Sequence, residues 1–257
     1  MFSRTSLMLC AVAVLAFGLA MLAMLLVPVP AYAGLVYTDT FDGANGTPPA
    51  AKWTTTGDPY HNGLGQLVFD EGDTYTTDKI ERTFGSGDFT VDLSFSSVDY
   101  GDTGGYPGAE YSIVDGSDKL LVRLYEVSGQ THPEDIRLLV KAYVDGAWVL
   151  DSNQVVGNFE DGLSWDVTVT YEEATKKYTV DSLVKGIIGG SSAEDDREVV
   201  SPAFNASTAA RYDYVEIDGS STDAVALLDS YNMVPEPATL ALLGLGGLGL
   251  VLGRRRR

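Results

Sequence analysis

Between residues 88 and 98 the apolar side chains Phe89, Val91, Leu93 and Phe95 occupy every second position, with Thr90, Asp92 and Ser94 between them. A period of two belongs to a strand with one buried face and does not fit a helix, whose faces repeat every 3.6 residues. The alternation returns in Trp165, Val167, Val169 and Tyr171 against Asp166, Thr168 and Thr170. Strand-sized blocks recur at 35–41, 66–69, 76–84, 88–98, 110–114, 120–127, 136–144, 148–150, 165–171, 178–180, 212–217 and 225–231. Turn signals separate them, among them Gly85-Ser86-Gly87 and the Asp145-Gly146 pair of a tight hairpin. Residues 194–197 are too short and too polar for a helix, and no amphipathic helix of more than two turns is written outside the terminal segments. The expected fold is all-β, a two-sheet antiparallel sandwich of about ten to twelve short strands. Trp165 is expected in its core, with Trp53 beneath the first strand.

Both ends are apolar. Arg4 precedes an apolar run from Leu7 to Val27, which Pro28 and Pro30 break before Ala31-Tyr32-Ala33, a small-x-small cleavage site. This is the layout of a signal peptide, residues 1–33, cut by signal peptidase after Ala33. Its apolar run exceeds the usual 7–15 residues, so an uncleaved anchor stays open. At the other end, Pro235-Glu236-Pro237 is followed by an apolar run from Ala238 to Leu252, then Gly253 and Arg254, Arg255, Arg256 and Arg257. As a helix, 238–253 reaches roughly 24 Å, short of a hydrocarbon core of about 30 Å, and would cross it by thinning the bilayer or snorkelling. The arginines would stay cytoplasmic and leave the Pro-Glu-Pro extended just outside the membrane. The only cysteine, Cys10, falls inside the N-terminal segment, so the exported part, residues 34–234, has no disulfide to brace it.

That C-terminal order resembles the PEP-CTERM sorting signal of Gram-negative bacteria. The resemblance covers residues 235–257. It implies that an exosortase, a membrane-embedded cysteine transpeptidase, recognises Pro235, Glu236 and Pro237. The protein would pass through the inner membrane to the cell surface or extracellular matrix. A plain C-terminal anchor that is never cut is the alternative.

Without its ends the chain carries 12 basic against 35 acidic side chains, a net charge of −23. Such a surface repels phosphate backbones and anionic lipid, which sets nucleic acid aside as a partner and favours cations, neutral glycans or plain solubility. Calcium takes six to eight oxygens, and three Asp/Gly loops offer them: 70–73, Asp99 with Asp102, and Asp115 with Asp118. Ordinary turn chemistry accounts for the same residues. Stacking on a sugar needs exposed aromatic faces. Tyr100 and Tyr106 flank a glycine-rich stretch, and Tyr60 and Trp148 are further candidates. His61 and His132 lie in turn-like stretches and read as solvated loop histidines.

The opening Thr38-Asp39-Thr40-Phe41-Asp42-Gly43, then Trp53 and Gly65-Gln66-Leu67-Val68-Phe69, is similar to the start of concanavalin-A-like lectin/glucanase jelly rolls, including laminin-G-like domains. The Tyr143–Gly146 hairpin and the closing Leu228-Asp229-Ser230 strand resemble that family too. The resemblance implies a jelly roll with a glycan-holding face and a nearby calcium ion, for which Asp39 or Asp42 would meet Asp229. Glucanases of the fold place two glutamates and an aspartate on one strand. The nearest match, Glu216-Ile217-Asp218, runs into Gly219-Ser220-Ser221 and lacks the second glutamate. The expected function is therefore a non-enzymatic polysaccharide-binding or structural/adhesion module. The alternative is a hydrolase or lyase of the same fold.

Overall fold

The computed structural model describes residues 37–70, 79–84, 87–99, 108–127, 135–160, 162–205, 211–217 and 225–235. These form β1 (Tyr37–Asp39), β2 (Thr54–Thr56), β3 (Tyr60–His61), β4 (Leu67–Asp70), β5 (Lys79–Phe84), β6 (Phe89–Asp99), β7 (Gly108–Asp115) and β8 (Asp118–Glu126). They continue with β9 (Ile136–Val144), β10 (Ala147–Gly157), β11 (Leu163–Glu172), β12 (Lys177–Ile188), β13 (Ser191–Val200), β14 (Arg211–Ile217) and β15 (Val225–Pro235). One sheet has the order β13-β12-β11-β6-β15-β4-β3, with β1 also on β15. The other runs β10-β9-β8-β7-β14-β5-β2. Neighbours far apart in sequence, such as β6 with β15 and β7 with β14, are the crossovers that make the sandwich a jelly roll.

The period-two residues do what their spacing demands. Phe89, Val91, Leu93 and Phe95 on β6 and Trp165, Val167, Val169 and Tyr171 on β11 all turn into the core. Phe95 stacks on Trp165 at 5.2 Å, and the buried indole donates to Ser182 Oγ at 2.9 Å. Each such large apolar side chain contributes about 1.5–3 kcal/mol by leaving water. With no cysteine in the domain, this burial carries the fold.

The core also holds two buried ion pairs. Arg82 Nε donates to Asp213 Oδ1 at 3.1 Å, and Tyr111 donates to Asp213 Oδ2 at 2.8 Å. Tyr231, on the other sheet, donates to the same carboxylate, so Asp213 ties the two sheets together. Burial pushes the Asp213 carboxyl up, and Arg82 beside it pulls it back. Arg211 Nε donates to Asp115 Oδ2 at 2.6 Å, with its guanidinium 4.2 Å from the ring of Tyr171.

Three expectations need correcting. β10 and β12 run far beyond 148–150 and 178–180, and 191–200 is a full strand. β13 is an edge strand with few buried side chains, so its acids mask any alternation; ten ladder partners on β12 hold it. Its hairpin turn is Gly189-Gly190, both at positive φ (57° and 78°), as a type I′ turn requires. His61 is also buried, not solvated: Nδ1 lies 2.7 Å from the Phe41 carbonyl. It packs against Gly43, where a Cβ would fall 2.1 Å from the imidazole.

Candidate functional site

The faces of the two sheets that turn away from the core differ in kind. On the eight-stranded sheet the outward row is short and polar: Thr90 with Thr170, Ser94 with Asp166, Thr168 with Asp92. On the seven-stranded sheet it is large, aromatic and charged. Here Glu110, Ser112, Tyr125 and Tyr214 are as buried as core residues, although they alternate with the core-facing Tyr111, Leu124, Asp213 and Val215.

Glu110 is the centre of this row. Its Oε1 accepts from Ser112 Oγ at 2.7 Å, from Lys119 Nζ at 3.3 Å and from Tyr214 OH at 3.3 Å, and Arg123 Nε lies 3.4 Å from Oε2. Glu216 stands directly opposite it in the β14–β7 ladder. Burial pushes the Glu216 carboxyl up to about 7 and the charge of Glu110 adds to the push, while Lys79, Lys119 and Arg123 pull it down. Lys79 and Lys119 both sit over the Tyr214 ring, at 4.0 and 5.1 Å. Toward the sheet edge, Asn153 donates to Tyr125 OH at 2.8 Å. Trp148 meets Tyr143 edge-on at 5.2 Å, with Lys141 Nζ 5.4 Å from the indole.

The aromatic candidates separate. Trp148 is 51% exposed on edge strand β10 and belongs to this row. Tyr60 is half-buried on β3 of the other sheet, so the two share no sheet. Tyr100, Tyr106 and Asp102 lie outside the described residues, as does the side chain of Asp99.

Among the described residues, most of the acidic candidates are occupied within the protein. Asp39 accepts from the Phe41 amide at 3.0 Å and from the Trp53 indole at 2.7 Å, and it pairs with Lys52 at 2.9 Å. Burial alone would raise its carboxyl; these donors outweigh it and hold the carboxyl low. Asp42 is exposed and accepts from Thr40 at 2.6 Å. Asp229 accepts from Gln66 at 2.8 Å and Ser96 at 2.7 Å. Asp115 is paired with Arg211, and Asp118 accepts the amides of Asp145 at 3.2 Å and Asn205 at 3.1 Å, pinning the β9–β10 turn. Among the described residues no three acidic, histidine or cysteine side chains converge as a cation site.

Of the processing residues, Pro235 closes β15, opposite Phe89. Ala31, Ala33, Glu236, Pro237 and Arg254 to Arg257 lie outside the described residues. The sequence marks Glu216 through the Glu216-Ile217-Asp218 match but not its partner Glu110, which lies on a strand more than a hundred residues away.

Residues 234–257 match the PEP-CTERM protein-sorting motif. That motif implies an exported, exosortase-processed cell-surface protein. Compared with curated proteins, the sequence matches none. Among solved structures, the fold is similar to the CBM2 module of the evolved Dit of Lactobacillus casei BL23 phage J-1, at 11% identity and a TM-score of 0.54, covering 77% of this chain and 94% of that one. It is similar to the lectin UEA-II complexed with galactose, at 11% identity and a TM-score of 0.53, covering 78% and 98%. It is also similar to a pseudo β-1,3-glucanase of Mycobacterium tuberculosis, at 14% identity and a TM-score of 0.52, covering 79% and 100%. The fold is thus the two-sheet antiparallel sandwich of legume lectins and concanavalin-A-like glucanases.

Proposed function

We propose that the mature protein is a non-enzymatic polysaccharide-binding module of the cell surface or extracellular matrix of a Gram-negative bacterium, and that it binds through the outward face of the seven-stranded sheet. The observation that carries this reading is the exposed indole of Trp148 against half-buried Tyr143, with Lys141 beside it, at the edge of a row whose Tyr125, Tyr214 and Glu110 are buried and held by their neighbours. It sets an aromatic face for stacking beside a polar side chain for sugar hydroxyls. The fold likeness to a lectin complexed with galactose and to a CBM2 module supports it without selecting a ligand. Signal peptidase would remove residues 1–33 and exosortase the tail.

The second reading is a polysaccharide hydrolase, and one observation favours it: two glutamates face each other across a ladder, one of them with its carboxyl pushed up to about 7. Retaining hydrolysis asks for such a pair, an acid and a free nucleophile about 5–5.5 Å apart. Against it, the oxygens of Glu110 are already taken by Lys119, Arg123, Ser112 and Tyr214, which leaves a poor nucleophile. A glycan array and a reducing-sugar assay on the same preparation decide between them. Binding that Trp148→Ala weakens at least several-fold, without sugar release, supports the binding module. Sugar release abolished by Glu216→Gln makes the protein a hydrolase.

A further inference from the structure

The domain's net charge of −23 is not spread evenly over its two faces. Outward from the eight-stranded sheet, Asp92, Asp166, Asp181, Glu194, Asp196 and Glu198 stand against Lys177 and Lys185. The crowding is strong enough that the Asp181 carboxyl is raised, by burial first and then by Glu198 and Asp196. The outward face of the seven-stranded sheet carries Lys79, Lys119, Arg123, Arg137 and Lys141, five of the 12 basic residues between 34 and 234. Glu81, Glu110, Asp151 and Glu216 share that face, and Asp135 lies just before β9. Two more of the basic residues, Arg82 and Arg211, are buried in the core and unavailable to any ligand.

Four of the five cations of the open face are arranged in two rows. Lys119 and Arg123 lie on β8, and Arg137 and Lys141 on the neighbouring β9. Within each row the two cations are four residues, or about 13 Å, apart, and the strands lie about 4.8 Å from each other. The outer row is only loosely paired. Lys141 meets Asp151 at 3.4 Å and Arg137 meets Asp135 at 3.8 Å, with the two carboxylates 58% and 47% exposed. Exposed pairs of this kind are worth about 0–1 kcal/mol, so an incoming anion displaces them at little cost. At the centre, Lys119 and Arg123 share Glu110, with Glu216 opposite it, so this face is close to neutral where the other sets six acids against two lysines.

Resting on the carbohydrate-binding reading, we propose that the ligand is a linear anionic polysaccharide, bearing uronate or sulfate groups, held across β8 and β9 by Lys119, Arg123, Arg137 and Lys141 with Trp148 and Tyr143 at its side. The acidic outer face of the other sheet repels such a polymer and leaves it one productive orientation. The net charge of the whole domain therefore misstates the charge its ligand meets.

The full chain, held in a neutral detergent, is titrated with alginate, dextran sulfate and the neutral β-glucan laminarin at 50 and 300 mM NaCl (roughly 14 and 6 Å Debye length). Binding of alginate or dextran sulfate is expected, at least tenfold tighter than laminarin at low salt and weakened at least threefold at high salt. Which of the two binds tells uronate from sulfate. Arg137→Ala with Lys141→Ala is expected to weaken the polyanion at least tenfold, whereas Lys177→Ala with Lys185→Ala leaves it within twofold; thermal melts check that both variants fold. Laminarin binding as tightly, without salt dependence, overturns this inference and leaves the carbohydrate reading standing. Equal losses in the two double variants also overturn it, and binding to none of the three polymers removes both.

Discussion

Replacing Glu216 with glutamine is expected to stabilise the protein at alkaline pH and to do nothing at acid pH. The native Glu216 carboxyl is pushed from 4.5 to about 7, by burial first and by the facing Glu110 second, so the folded state keeps a proton that the unfolded chain has lost. Below about pH 4.5 both states are protonated and the group has no effect. As pH rises from 4.5 to 7 stability falls, and above 7 the loss is complete. At about 1.36 kcal/mol per pH unit the ceiling is about 3.4 kcal/mol, and partial contact with solvent reduces it to about 1–2 kcal/mol. Glutamine keeps the shape and removes the titration. Urea unfolding followed by tryptophan fluorescence should place Glu216→Gln above the parent by about 1–2 kcal/mol at pH 8.5 and within a few tenths at pH 4.5. In thermal melts the gain at pH 8.5 is about 3–6 °C for a domain of this size. A difference independent of pH, or a loss at pH 8.5, would refute the reasoning.

Asp213→Ala should cost about 3–5 kcal/mol in the same unfolding assay, because it strands Arg82 in the core and unties Tyr231 from the opposite sheet. Asp151→Ala, which removes only an exposed partner of Lys141, should change stability by less than about 1 kcal/mol. Gly43→Ala should destabilise by about 1–3 kcal/mol, since the new methyl meets the buried His61 ring; a neutral result would mean that the imidazole moves aside freely. Val234 and Pro235 still pair with Thr90 and Phe89, so the sorting motif begins inside the last ladder of the folded domain. A six-residue Gly/Ser insertion between Val234 and Pro235, which keeps Pro-Glu-Pro intact and moves it out of the ladder, should therefore speed tail removal, read by mass spectrometry as loss of residues 254–257, and an unchanged rate would mean that the ladder does not shield the motif.

What the chain shows before folding is what depends on neighbours in sequence. The period-two blocks of β6 and β11, the Asp-Gly turn at 145–146 and the sorting tail are all local patterns, and each was legible. β13 was hidden because an edge strand buries too few side chains to alternate, and only Gly189-Gly190 hinted at its hairpin. His61 was misread because its burial depends on Gly43 and the Phe41 carbonyl, twenty residues away. The open face was the least visible part. Glu110 acquires its meaning from Lys119, Arg123, Tyr214 and Glu216, which two separate ladders bring around it. A sum of charges cannot tell one face of a sheet from the other, so composition alone hid the lysines and arginines gathered on β8 and β9.

Lysine acylation read by mass spectrometry, with and without bound polysaccharide, tests the central claim most directly, since both outward faces carry lysines. Bound glycan is predicted to shield Lys119 and Lys141 while Lys177 and Lys185 react as before. Shielding of Lys177 and Lys185 with Lys119 and Lys141 unchanged would place the ligand on the opposite sheet and contradict the account.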